Sequence, residues 1–207
     1  QYQKSLELYK EALAIFEKLK DDRGKGTTLN NIGLNYDNQG AYTEALSYYQ
    51  QALEILKTAG DRMAVGRTLT NIGFAYSNLA EYPKALASLE KALAIRREIG
   101  DRPGEAVTLD GIGTVHRQQN SDRIALQFYE QALSIFREVN NSPGVGYTLS
   151  NIGATLLKVG NFKAAAEQLM AAVEVWESLR PGLTDENKVS LFEKQSETYG
   201  LLQQALI

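Results

Sequence analysis

The sequence holds a single histidine, His116, and therefore one side chain whose unperturbed pKa suits proton transfer near neutral pH. General acid–base or nucleophilic catalysis needs partners held in geometry, and no such signature accompanies it. Gly111-Ile112-Gly113 and Pro143-Gly144-Val145-Gly146 are glycine-rich, but neither has the strand-to-helix setting or the lysine of a phosphate loop. The acidic pairs Asp21-Asp22 and Asp185-Glu186 fall at expected helix starts, where the macrodipole favours negative charge. Cysteine is absent, so disulfides and thiolate metal sites are excluded. No catalytic residue, metal site or cofactor is expected. The remaining chemistry is that of amides. Asn31, Asn71 and Asn151 recur in one register, and each offers a donor and an acceptor that can meet the backbone of a bound peptide.

These amides sit inside a longer repeat. Asn31-Ile32-Gly33, Asn71-Ile72-Gly73, Gly111-Ile112-Gly113 and Asn151-Ile152-Gly153 follow one another at 40-residue intervals. Self-similarity at this period marks stacked supersecondary units. In the second unit Leu69, Ile72, Gly73 and Tyr76 fall at i, i+3, i+4 and i+7, one face of a helix. Tyr82, Ala85, Leu86, Leu89, Ala92 and Leu93 mark a second amphipathic helix, and Asn78-Leu79-Ala80-Glu81 leaves room only for a tight turn. Each unit is thus a helical hairpin.

Small residues explain how the hairpins close. Gly33, Gly73, Gly113 and Gly153 lie inside helices, where glycine costs about 0.5–1 kcal/mol relative to alanine, so a packing reason is expected. Gly26, Gly66, Ala106 and Gly146 lie two turns earlier on the same face. The second helices supply Ala45, Ala85, Ala125 and Ala165, then Ala52, Ala92, Ala132 and Ala172. Leucine at position 73 is expected to force two helices apart, whereas Gly73→Ala is expected to be tolerated through the helix propensity it gains. Asp21, Asp61, Asp101 and Asn141 suit N-caps. Gly60, Gly100 and Asn140 suit left-handed C-caps, and Pro83, Pro103 and Pro143 suit first turns.

These residues resemble the tetratricopeptide repeat. Its Leu-Gly pair, aromatic, turn Gly, aromatic, Ala, aromatic or Leu, and Ala reads Ile32-Gly33, Tyr36, Gly40, Tyr42, Ala45, Tyr49, Ala52 in the first full unit. The fourth unit reads Ile152-Gly153, Leu156, Gly160, Phe162, Ala165, Leu169, Ala172. The third departs most, with His116, Asn120 and Asp122 at the aromatic, turn and second aromatic positions, so His116 reads as a packing variant. Most of the 11 tyrosines align to packing positions and read as core rather than as stacking platforms for nucleic acid. The 40-residue length is similar to repeats of LGN/Pins scaffolds and of bacterial, cyanobacterial-type arrays. It places the added residues where hairpins join, lengthening both helices.

The resemblance implies an all-α superhelix of stacked antiparallel hairpins. Residues 21–60, 61–100, 101–140 and 141–180 form four full repeats after the second helix of a partial one at 1–20. A turn and a helix that begins a divergent repeat follow at 181–207. It also implies a concave face built from the first helices, which brings Asn30, Asn31, Asn38, Arg67, Asn71, Phe74, Asn78, Asp110, Arg117 and Asn151 into a peptide-binding groove. Gly111 interrupts the amide ladder, and Thr27, Val107 and Tyr147 stand where LGN-type repeats carry the arginine that Arg67 keeps. An equal alternative for the ladder is that it bonds neighbouring helices and holds the array together. The string from Leu179-Arg180-Pro181-Gly182-Leu183-Thr184-Asp185 to Tyr199-Gly200-Leu201-Leu202-Gln203-Gln204-Ala205-Leu206 resembles the segment ahead of caspase-like CHAT domains.

Three functions follow as expectations. The first is a non-enzymatic scaffold that binds a protein or peptide. The second is a regulatory segment of a larger CHAT-containing protease or signalling protein. The third is a self-associating module, because Tyr2, Leu6, Tyr9, Ala12 and Leu13 begin the chain at a second helix without its partner. A net charge of −3 argues against nucleic acid. No apolar run approaches the roughly 18 residues of a membrane span. A cysteine-free chain without a signal peptide fits the cytoplasm.

Overall fold

The computed structural model describes the backbone of residues 2–179 and 185–206, and the side chains of these except 185–193. Among the described residues there are ten α-helices: α1 (Tyr2–Leu19), α2 (Asp22–Asp37), α3 (Tyr42–Thr58), α4 (Arg62–Asn78), α5 (Tyr82–Glu98), α6 (Arg102–Gln118), α7 (Asp122–Glu138), α8 (Ser142–Lys158), α9 (Phe162–Leu179) and α10 (Asp185–Ala205). The fold is all-α and made of antiparallel helical hairpins. The chain forms two compact units, Gln1–Gly104 and Glu105–Ile207.

Helix ends repeat with the sequence. Asp21, Asp61, Asp101 and Asn141 each accept the backbone N–H three residues on, at 2.9–3.0 Å, as expected of N-caps. The C-termini close with a bond from the residue after the left-handed position back five residues, for example Asp61 N to Leu56 O at 3.0 Å and Glu81 N to Tyr76 O at 2.9 Å. Left-handed residues recur at an even spacing, twice in each repeat, from Lys20 to Gly160, and Gly60, Gly100 and Asn140 are among them. At Ala80 the angle is φ 58°, a conformation that costs a residue with a Cβ. The longer helices expected from the long repeat are present, since α3 to α8 each run 17 residues.

Gly33, Gly73, Gly113 and Gly153 face the second helix of their own hairpin. A Cβ on Gly33 or Gly113 would meet the ring of Tyr49 or Tyr129, and one on Gly73 or Gly153 would meet Leu89 or Leu169. All four of these partners are fully buried. One expectation needs correction here. A Cβ at Gly73 would lie 2.6 Å from Leu89 Cγ and 3.3 Å from Ala85 O, so even alanine forces the helices to shift. Gly66 is different: its nearest neighbour would be Arg96 Cγ at 3.4 Å, an ordinary contact.

Arg96 replaces the apolar residue that Leu56 or Phe136 supplies at the same register position. It is 7% exposed, pairs with Asp101 and donates to Thr70 Oγ1 at 3.3 Å. A buried guanidinium requires such partners, and the space beside it requires Gly104, where any Cβ would overlap its Nη1.

Candidate functional site

The expected ligand-binding residues lie on the first helices, and the structure divides them into two groups. In the first unit Asn30 is 2% exposed. Its Oδ1 accepts from Thr68 Oγ1 and from Asn71 Nδ2, both at 3.1 Å, and its Nδ2 donates to Asn31 Oδ1 at 3.5 Å. Asn30 is thus corrected from a groove contact to a bond between α2 and α4. In the second unit Asp110, at the same register position, accepts from Thr148 Oγ1 at 2.8 Å and from Asn151 Nδ2 at 3.2 Å. Asp110 is likewise withdrawn as a ligand contact. Burial pushes its carboxyl pKa up, opposed by the bonds from Thr148 and Asn151 and by the charge of Arg117.

Asn71 and Asn151 therefore use an amide N–H to tie successive hairpins, which was the structural alternative for the ladder. Sequence reasoning missed their companions. Thr28, Thr68, Thr108 and Thr148 stand in register, one to each repeat, a signal available in the sequence. Thr28 and Thr68 also back-bond to the carbonyl four residues earlier, at 2.8 and 2.9 Å.

The remaining first-unit residues reach the surface. Arg67 and Asn78 are exposed, and Asn71 and Phe74 are half-buried. At i, i+4, i+7 and i+11 these four follow one stripe of α4. Asn78 bonds Asp37, whose carboxyl also accepts from Tyr49 Oη at 3.3 Å; burial raises that carboxyl's pKa against both bonds. Asn31 and Asn38 line a hollow of about 230 Å³ with Leu34, Asn35, Tyr2 and Tyr9.

In the second unit Arg117 and Asn151 line a cavity of about 180 Å³. Tyr147, Ser150 and Ala154 of α8, Trp176 of α9 and Lys194 and Thr198 of α10 complete much of its wall. Tyr147 meets Trp176 edge to face, with ring centroids 4.8 Å apart. Lys194 Nζ sits 6.0 Å from the Tyr147 centroid. Arg117 Nε and Trp176 Nε1 are buried donors with no acceptor among the described residues. The Ser150 and Thr198 hydroxyls bond at 3.0 Å, and Thr198 also back-bonds to Lys194 O at 2.9 Å. Thr198 thus takes the role that Thr148 plays toward Asp110, but stands further along the chain than the repeat would put it. Trp176 and Lys194 were missed because the first occupies a core register position and the second lies beyond the break in the repeat. The turn expected after residue 180 lies outside the described residues.

His116 stacks on Phe128 with centroids 5.5 Å apart and 9° between planes, a packing role matched by Tyr36 on Tyr48. Among the described residues no group of three or more His, Asp or Glu is arranged to hold a metal ion. No described helix is long and apolar enough to cross a membrane.

Three solved structures share this architecture. BtubC from P. vanneervenii superposes with a TM-score of 0.78 at 17% identity, over 99% of this chain and 87% of that one. A Rap protein complexed with competence and sporulation factor gives 0.79 at 18% identity, over 96% of this chain and 58% of that one. Aspartyl phosphate phosphatase F from Bacillus subtilis gives 0.76 at 19% identity, over 84% of this chain and 45% of that one. At these identities the likeness is one of fold. No curated protein matches the sequence. The tetratricopeptide repeat family matches residues 1–58, 64–138 and 124–178, with the hairpins, caps and close-packed glycines described above, and the chain belongs to that family.

Proposed function

We propose that this chain is a non-enzymatic protein-interaction scaffold and that the first-helix faces of its units bind an extended or helical peptide of a protein partner. The observation that carries this reading is the cavity of about 180 Å³ in the second unit. It brings two cations, Arg117 and Lys194, beside two aromatic rings and two buried donors that lack acceptors among the described residues. That mixture suits an acidic side chain next to an apolar anchor. The exposed Arg67 and half-buried Phe74 offer a similar pairing in the first unit. The Rap protein of like fold is complexed with competence and sporulation factor, which supports reading this fold as one that holds a binding partner. A cysteine-free sequence suits a reducing compartment such as the cytoplasm.

The test is selection of binding peptides from a random displayed library, followed by anisotropy titration against Arg117→Ala, Tyr147→Ala and Arg67→Ala. Each variant that removes a buried contact should weaken binding by about 1–3 kcal/mol. Selected peptides that bind all three variants with unchanged affinity refute the placement.

A second reading, self-association, is favoured by α1. Tyr2, Leu8, Ile15 and Leu19 are 48–68% exposed on it, and none of its residues is fully buried. Sedimentation equilibrium of wild type against Leu8→Glu/Ile15→Glu distinguishes the two, since a monomer in both removes this reading.

A further inference from the structure

A cavity on the face of α4 opposite Arg67 and Asn71 lies entirely within the first unit. It holds about 440 Å³ and is walled by Leu53, Leu56 and Lys57 of α3, Arg62, Val65 and Leu69 of α4, and Lys91, Ala94 and Ile95 of α5. Leu56, Val65 and Leu69 are buried and form its floor. Leu53 and Ile95 are half-buried, and the cations Lys57, Arg62 and Lys91 are exposed at the rim. A volume between about 300 and 1,000 Å³, an apolar lining and a few polar groups at the edge are the usual marks of a small-molecule site.

The register shows why the cleft opens here. Aligned with Ala94 stand Ala14 of the partial repeat and Glu54, Ser134 and Glu174, so a methyl group takes the place of the polar side chain of the three other full repeats. Lys91 aligns with Glu11, Gln51, Gln131 and Ala171, so it is the one cation at this register position. Leu56 aligns with Phe16, Phe136 and Trp176, and the smaller side chain leaves space those rings would occupy. The repeat by itself would build neither the apolar trough nor its basic rim.

The charges are available to a ligand. Lys57 pairs with Glu54 at 3.0 Å and Arg62 with Glu98, both between exposed groups. Such pairs are worth little and exchange readily. Lys91 makes no ion pair with the described residues. A neutral apolar guest would leave this rim unused, and a cationic amphiphile would meet repulsion.

We infer that this cleft between α3 and α5 binds a small amphiphilic anion, a medium-chain carboxylate whose apolar tail lies over Leu56, Val65, Leu69 and Ile95 and whose head group meets Lys91, Arg62 and Lys57. The site is independent of the peptide-binding reading, because the residue tested there in the first unit, Arg67, does not line it.

Isothermal titration of the whole chain with octanoate, decanoate, decanol and decylammonium, below their aggregation limits, tests the assignment. Decanoate is expected to bind at one site, and each added methylene to strengthen binding by roughly fourfold while the tail still meets the floor. Decanol should bind at least about tenfold more weakly and decylammonium more weakly still, as charge complementarity requires. Lys91→Gln and Ala94→Glu install residues that the chain carries at equivalent positions, so both should fold with an unchanged thermal midpoint. Lys91→Gln should weaken decanoate about fivefold and leave decanol unchanged, and Ala94→Glu should weaken decanoate at least about tenfold. Lys163→Gln, an exposed charge of α9, should change nothing. Absence of saturable decanoate binding overturns the assignment. So does equal affinity for decylammonium, or undiminished decanoate binding by Ala94→Glu.

Discussion

Thr148 Oγ1 donates to Asp110 Oδ1 at 2.8 Å, and two repeats earlier Thr68 Oγ1 donates to Asn30 Oδ1 at 3.1 Å. One buried hydroxyl from each of these hairpins thus reaches back to the polar residue of the hairpin before it. Thr148→Val keeps the shape and removes the donor, leaving a buried acceptor short of a partner. It should destabilise the second unit by about 1–3 kcal/mol, and Thr68→Val should do the same in the first. Urea midpoints within error of wild type for both would show that these bonds contribute nothing net.

Asp110 makes the same junction with a charge that Asn30 makes without one. Its folded-state pKa is raised by burial, so the fold binds the proton more tightly than the unfolded chain does. Its contribution is fully present below the ordinary carboxyl value of 3.8 and is lost as pH rises through the higher folded-state value. Asp110→Asn removes this dependence. Measured against wild type as pH rises from the ordinary carboxyl value to neutrality, the variant should gain stability. A parallel pair of stability curves would contradict this.

Gly73 and Gly66 lie two turns apart on one face of α4 but have different surroundings. Gly73→Ala should cost about 1–3 kcal/mol, because its Cβ overlaps Leu89. Gly66→Ala installs the residue already present at Ala106 and should stabilise by about 0.5–1 kcal/mol through helix propensity. Chemical denaturation of the two single variants checks both signs at once.

Ala80 holds φ 58° in the exposed turn between α4 and α5, where Gly40 and Gly160 stand in two other hairpins. Ala80→Gly should relieve part of the left-handed penalty and stabilise by about 0.5–1 kcal/mol. Gly40→Ala should lose a similar amount although its Cβ would meet nothing within 4 Å. Differential scanning calorimetry gives the comparison, and a lower midpoint for Ala80→Gly would show that the turn is not under this constraint.

The sequence by itself determined the hairpins, their ends and their closest contacts. A strict period repeats the same local choices: a capping Asp or Asn, a left-handed stop, and a glycine opposite a large side chain. Such features depend on residues close in the chain or at the same place in each copy, and periodicity displays both. Which polar side chains remain free for a ligand was decided only by tertiary structure. Asn30 and Asn31 are neighbours of one residue type, yet Asn30 is covered by Thr68 and Asn71 of the next hairpin while Asn31 borders a surface hollow. Helical spacing places a residue on a face to within a turn, whereas burial depends on the side chain stacked against it from the neighbouring repeat. The same reason hid Trp176 and Lys194, and the cleft over Leu56 and Leu69. Each arises where one copy of the repeat departs from its neighbours, and the consequence of that departure lies in the space between helices.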